Sequence, residues 1–98
     1  MSLRHLVLLR FIEETEPAQV ETIAQSLRAL ARLIPEVADY RVGPDLALAT
    51  GNWHFGIAAD FATEADYFVY RDHPEHQRII RDLVLPVVAE RAAVQFAT

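Results

Sequence analysis

Arg4-His5-Leu6-Val7-Leu8-Leu9-Arg10-Phe11-Ile12 decides the fold. The run is short and apolar, and the acidic, turn-prone Glu13-Glu14-Thr15-Glu16 closes it, which predicts a strand over about residues 4–12. Successive strand side chains point to opposite faces. Leu6 and Leu8 therefore share one face, and His5, Val7, Leu9 and Phe11 the other. Both faces are apolar in mid-strand, so burial is expected on both.

Downstream, Pro17 suits a first helical turn, and Val20, Ile23, Ala24, Leu27, Leu30, Ala31 and Ile34 recur at three- and four-residue steps. That spacing predicts a helix over Pro17 to Leu33, stopped at Ile34-Pro35. Val37 to Gly43 alternates as a second strand, Gly43-Pro44-Asp45 turns, and Leu46 to Asn52 reads as a loop. Trp53 to Phe61 is a third strand, with Phe55, Ile57, Ala59 and Phe61 on one face and His54, Gly56, Ala58 and Asp60 on the other. Thr63 with Asp66 resembles a helix cap, and a short helix runs to about Asp72. Pro74 opens a further helix to about Leu85, striped by Ile79, Ile80, Leu83 and Val84. Ala92 to Phe96 is the last strand. The order is β-α-β-β-α-β with a broken second helix. It predicts an α+β, ferredoxin-like protomer, an antiparallel sheet with its helices on one face. No repeat or linker interrupts residues 1–98, which read as a single domain.

The face without helices should be polar in a monomer. Here it carries Leu6, Leu8, Gly56 and Ala58. Monomers rarely expose such a patch, and small residues admit a second sheet, so a homodimer packed sheet to sheet is expected. Arg4 and Arg10 flank the patch and are expected to pair with Asp60 or Asp39 of the partner.

Composition narrows the partners. Nine Lys and Arg against fourteen Asp and Glu leave a formal charge of −5, which disfavours nucleic acid and anionic membrane. Cysteine is absent, which removes disulfides, thiolate metal sites and cysteine nucleophiles. No apolar run is long enough to span a bilayer, and the opening residues lack a signal peptide's pattern, so a cytoplasmic location is expected.

Four histidines are the main candidates for chemistry: His5, His54, His73 and His76. None has the spacing of a metal set, so neither metal nor other cofactor is expected. With Pro74 as the first helical residue, His73 falls at the N-cap and His76 in the first turn, on the core side of Ile79, Ile80 and Leu83. A helix N-terminus and partial burial both disfavour imidazolium, so His76 should be neutral and able to accept a proton. His5, Tyr70 and His76 then form a small polar cluster between sheet and helices. The plainer reading is hydrogen-bonded core residues. Tyr67, Phe68 and Tyr70 likewise read first as core, and His54 is given no role.

The chain resembles the stress-responsive dimeric α/β-barrel family (Dabb). The opening strand, Leu33-Ile34-Pro35, Val42-Gly43-Pro44-Asp45 and His73-Pro74-Glu75-His76 carry the resemblance. It implies a ferredoxin-like protomer and a dimer whose sheets form a barrel. Members are largely uncharacterised. Plant members are linked to stress, and one plant branch, the olivetolic acid cyclases, closes polyketide chains by aldol condensation without metal or organic cofactor. In that branch a tyrosine and a histidine matching Tyr70 and His76 carry the chemistry, and a pocket histidine matches His5. The implied roles are His76 as general base and Tyr70 as an aid at a carbonyl oxygen. The implied pocket is lined by His5, Val7, Leu9, Ile23, Leu27, Ile57, Ile79 and Ile80. Ile23 and Leu27 stand where the cyclases have aromatics and Ile80 where they have a small residue, so branched aliphatics take up space that a substrate would need. The leading expectation is a dimeric stress-responsive barrel binding a small apolar ligand. The alternative is a cofactor-independent cyclase or lyase using Tyr70 and His76 on a polyketide-like substrate. A cofactorless monooxygenase is the third, on fold analogy and a position for Trp53 near a pocket.

Overall fold

The opening apolar run folds as strand β1 (Leu3–Phe11), in which Leu3, His5, Val7, Leu9 and Phe11 are buried and the residues between them are not. Residues 1–98 are described by a computed structural model. The strand starts and ends one residue earlier than the apolar run indicated, because Leu3 is buried while Ile12 turns out toward water. Helix α1 (Pro17–Leu33) begins with its proline in the first turn. Gln19 Oε1 accepts the Glu16 N–H at 2.8 Å and secures the entering chain. Ile23, Ala24, Leu27 and Leu30 form its buried stripe. The remaining elements are β2 (Val37–Pro44), β3 (Phe55–Phe61), α2 (Glu64–Asp72), α3 (Pro74–Ile79) and β4 (Val88–Ala97).

The sheet order is β2-β3-β1-β4, and all neighbours are antiparallel. This is the ferredoxin-like α+β arrangement. The inward residues of β1 and β3 join Ile23, Leu27, Leu30 and Ile79 in one core, which puts the helices on a single face. Thr63 caps α2 by accepting the Asp66 N–H at 3.1 Å. No helix is long and apolar enough to cross a membrane.

Several elements differ from the sequence reading, each for a local reason. Strand β3 begins at Phe55, so Trp53 and His54 lie outside it. The His54 N–H donates to the Leu9 carbonyl and its Nδ1 accepts the Phe11 N–H, both at 2.9 Å, so its side chain stands in for a strand partner. Strand β4 starts four residues early, because Glu90 and Arg91 interrupt the apolar pattern yet still pair with Arg10 and Leu9. The helix opened by Pro74 is α-helical only to Ile79. A wide π-helical turn follows over Ile80–Val84, closed by the Leu85 N–H on the Ile80 carbonyl at 2.9 Å. Phe68 is exposed, with the Arg71 guanidinium 4.6 Å from its ring centre. Arg4 pairs with its own chain's Asp60, at 2.7 and 2.9 Å, because strand register sets the two side by side.

His5 is the one polar residue in the buried set, at 4% exposure. Its Nδ1 lies 2.7 Å from Gln95 Nε2, the residue opposite it on β4. An amide NH2 only donates, so this Nδ1 accepts and the ring proton sits on Nε2. Burial, then the charge of Arg91, then His76, push its pKa down to about 4 from 6.5. Between those values the unfolded chain takes up a proton that the folded chain refuses. Stability is therefore full above about pH 6.5 and falls as pH drops toward 4. The His5 contribution to that loss is about 2 kcal/mol at about pH 5. We expect a lower urea midpoint at about pH 5 than at about pH 7, at fixed protein concentration, and a smaller difference in His5→Gln. An undiminished difference in that variant would show that His5 is not the group responsible.

Candidate functional site

Between the inward face of the sheet and the α3 region lies a partly enclosed cavity of about 370 Å³. It exists because α3 is short and the wide turn draws the chain aside, leaving the inward side of β4 uncovered. Ala93 and Arg91 on that strand are both exposed. Val7, Leu9, Leu27, Ile57 and Ile80 line it, together with His5, Tyr70 and His76. The branched side chains of Leu27 and Ile80 narrow the space without filling it. Ile23 and Ile79 do not reach the cavity: both are 1% exposed and packed in the core beside its wall. Tyr67, Val84, Leu85 and Arg91 complete much of the lining, and residue-by-residue reading had not placed them there.

His76 is set in the first turn of α3. Its Nδ1 is 2.9 Å from the Arg71 carbonyl oxygen. A carbonyl only accepts, so Nδ1 carries the proton and the neutral ring keeps its lone pair on Nε2. Burial lowers its pKa, against the raising effect of that carbonyl, with Arg91 and His73 lowering it further. His76 is thus a neutral base, whereas His5 presents an Nε2–H. Two imidazoles of opposite tautomer border one cavity, one able to accept a proton and the other to donate a hydrogen bond.

Tyr70 lies against His76 ring to ring, with centroids 4.4 Å apart. Its hydroxyl is not directed at that imidazole. It meets the Tyr40 hydroxyl at 2.9 Å. Burial pushes the Tyr70 phenol up to about 12 and raises that of Tyr40 as well, so both stay protonated. Tyr40 reaches this position from β2 opposite Ala59, which is fully buried and small enough to leave room for the ring. The alternation of Val37 to Gly43 puts Tyr40 on the same face as Val42, and that was the available signal for it.

The other histidines serve the backbone. His73 caps α3, its Nδ1 accepting the Glu75 N–H at 3.1 Å. His54 holds the end of β1 as described. No three His, Asp or Glu side chains converge as a metal would require. Trp53 stacks beneath the Arg10 guanidinium at 4.4 Å and borders a separate surface hollow with Asp45 and Leu48. It takes no part in the cavity of the histidines.

Residues 3–98 match the family described as Stress responsive A/B Barrel Domain. No curated protein matches the chain. A dimeric ferredoxin-like protein of unknown function from Thermobifida fusca is similar at 40% identity and a TM-score of 0.93, over 100% of this chain and 92% of that one. Hydroxynitrile lyase from Passiflora edulis shares the fold at 17% identity and a TM-score of 0.85, over 99% and 93%. So does a putative antibiotic biosynthesis monooxygenase from Chloroflexus aurantiacus, at 15% identity and 0.76, over 100% and 93%. With nearly its whole length matched, the chain belongs to the stress responsive A/B barrel domain (Dabb) family.

Proposed function

We propose that two copies of this chain pack sheet to sheet into an α/β barrel, and that each protomer binds a small, mainly apolar molecule between its sheet and helices. The cavity carries this reading: apolar walls of branched side chains, with two neutral imidazoles as convergent polar groups. Support for the dimer comes from the outward face. Leu6, Leu8, Gly56, Ala58 and Val94 border a hollow of about 590 Å³ there, and Leu8 and Val94 are 43% and 54% exposed. Nothing within the protomer demands a glycine at position 56, since a Cβ would meet only Leu8 Cδ2, at 3.9 Å. A second sheet approaching closely supplies a reason for it. The Thermobifida fusca relative is itself described as dimeric.

A second reading is a cofactor-independent lyase or cyclase, favoured by the His76 tautomer. In this scheme Nε2 of His76 takes a proton from a substrate hydroxyl or from a carbon between carbonyls. The Nε2–H of His5 stands ready for developing negative charge. The Tyr40 and Tyr70 hydroxyls lie 2.9 Å apart and either can donate; in this scheme Tyr40 is the donor, which leaves the Tyr70 proton for a substrate carbonyl. Trp53 lies elsewhere, and the monooxygenase likeness extends to the fold alone.

Three measurements follow. Sedimentation at micromolar concentration should give a dimer, and Leu8→Lys should give a folded monomer; a monomeric wild type would remove the sheet-to-sheet assembly. Octanol should shift the imidazole resonances of His5 and His76, and Leu27→Trp, which fills the cavity, should suppress the shift. Unmoved resonances would mean that the cavity takes no such ligand. For the second reading, mandelonitrile should be cleaved to benzaldehyde and cyanide, with kcat/KM about a hundredfold lower in His76→Ala. Equal rates in the two proteins would remove His76 from the chemistry.

A further inference from the structure

Arg91 is the cavity's unanswered charge. It stands opposite Leu9 in the β1–β4 ladder, and residues directly opposite project to the same face, so it points to the inward, helix-bearing side. It borders the cavity and its guanidinium makes no ion pair or hydrogen bond within the chain, whereas the neighbouring charges are committed. Arg71 holds Asp72 through two bonds at 2.8 and 3.1 Å. Glu90 projects to the opposite face, 3.6 Å from Arg10. The cavity therefore offers an exposed, unpaired guanidinium and apolar walls from Leu27, Ile57 and Ile80; Glu90 also borders it, but its carboxylate lies with Arg10 and leaves Arg91 unanswered.

We propose that the ligand of this cavity is an apolar molecule bearing a carboxylate, which Arg91 holds at the mouth while the apolar part lies along Leu27, Ile57 and Ile80. Guanidinium matches carboxylate through two parallel N–H···O bonds, and a partly enclosed site strengthens them. The neutral histidines fit the same ligand, because a cationic imidazole further in would compete with Arg91 for the carboxylate. The charge of Arg91 already lowers the pKa of both His5 and His76. A volume of about 370 Å³ accommodates a chain of about eight carbons.

This inference rests on the cavity being a ligand site, and the test separates the two. Octanoate and its neutral counterpart octanamide are titrated into the full-length protein and into Arg91→Gln, with binding read from the His5 and His76 imidazole resonances. Arg91 is exposed and unbonded, so the variant should keep the wild-type thermal midpoint. Octanoate should bind wild type about tenfold more tightly than octanamide, and Arg91→Gln should erase that preference while leaving octanamide unchanged. Equal binding of both probes, or a preference that survives the substitution, overturns the carboxylate assignment and leaves the cavity as a neutral apolar site. If neither probe moves either histidine, the ligand site itself is wrong, and the role of Arg91 falls with it.

Discussion

Everything in this protomer is arranged around a strand with no side given wholly to water. β1 bonds to β3 along one edge and to β4 along the other. Its inward residues enter the core, and outward Leu6 and Leu8 border an apolar hollow. The middle of the strand is apolar on both faces, so the opening run lacks the polar alternation of a half-solvated sheet. Its one buried polar residue, His5, is tolerated because the ladder sets Gln95 beside it. The fold's central constraint and the candidate site thus meet in a single side chain.

The polar groups of the cavity are each oriented by a hydrogen-bonding partner. The Arg71 carbonyl selects the His76 tautomer, Gln95 selects that of His5, and Tyr40 takes up the Tyr70 hydroxyl. Held in this way, the two rings can differ in role while both are uncharged. Such preorganisation serves specific binding and proton transfer alike, since in either case the polar atoms need not reorient when a ligand arrives.

What the sequence disclosed follows the range of the interactions involved. The inward column of β1 and the stripe of α1 were legible because a strand's period of two and a helix's period near 3.6 are local properties. Helical phase was also enough to turn His76 and Tyr70 toward the interior. It did not separate residues that face the cavity from those packed beside it, and so Ile23 and Ile79 were placed with the lining. Alternation along β2 gave the face of Tyr40 but not its partner, and Gln95 and Arg91 depend on cross-strand register with His5 and Leu9, which no local pattern encodes. The wide turn after Ile79 was equally hidden, since its apolar residues continue the stripe of an ordinary helix.

That turn makes the reading frame of the structure unusually sensitive to a lost codon. A π-helical turn holds one residue more than an α-helical one, and each residue advances a helix by about 100°. Deleting one residue between Ile80 and Val84 would let the α-helix run on in regular form. The link from Leu85 to Val87 would then have to absorb the missing residue. Failing that, β4 would slip by one position against β1, and a one-residue slip exchanges the two faces of a strand. Gln95 would leave His5 and Arg91 would leave the cavity, while Val94 and Ala92 turned inward in their place. A chain that lacked the extra residue would therefore keep the four-stranded sheet and carry a cavity of different polarity.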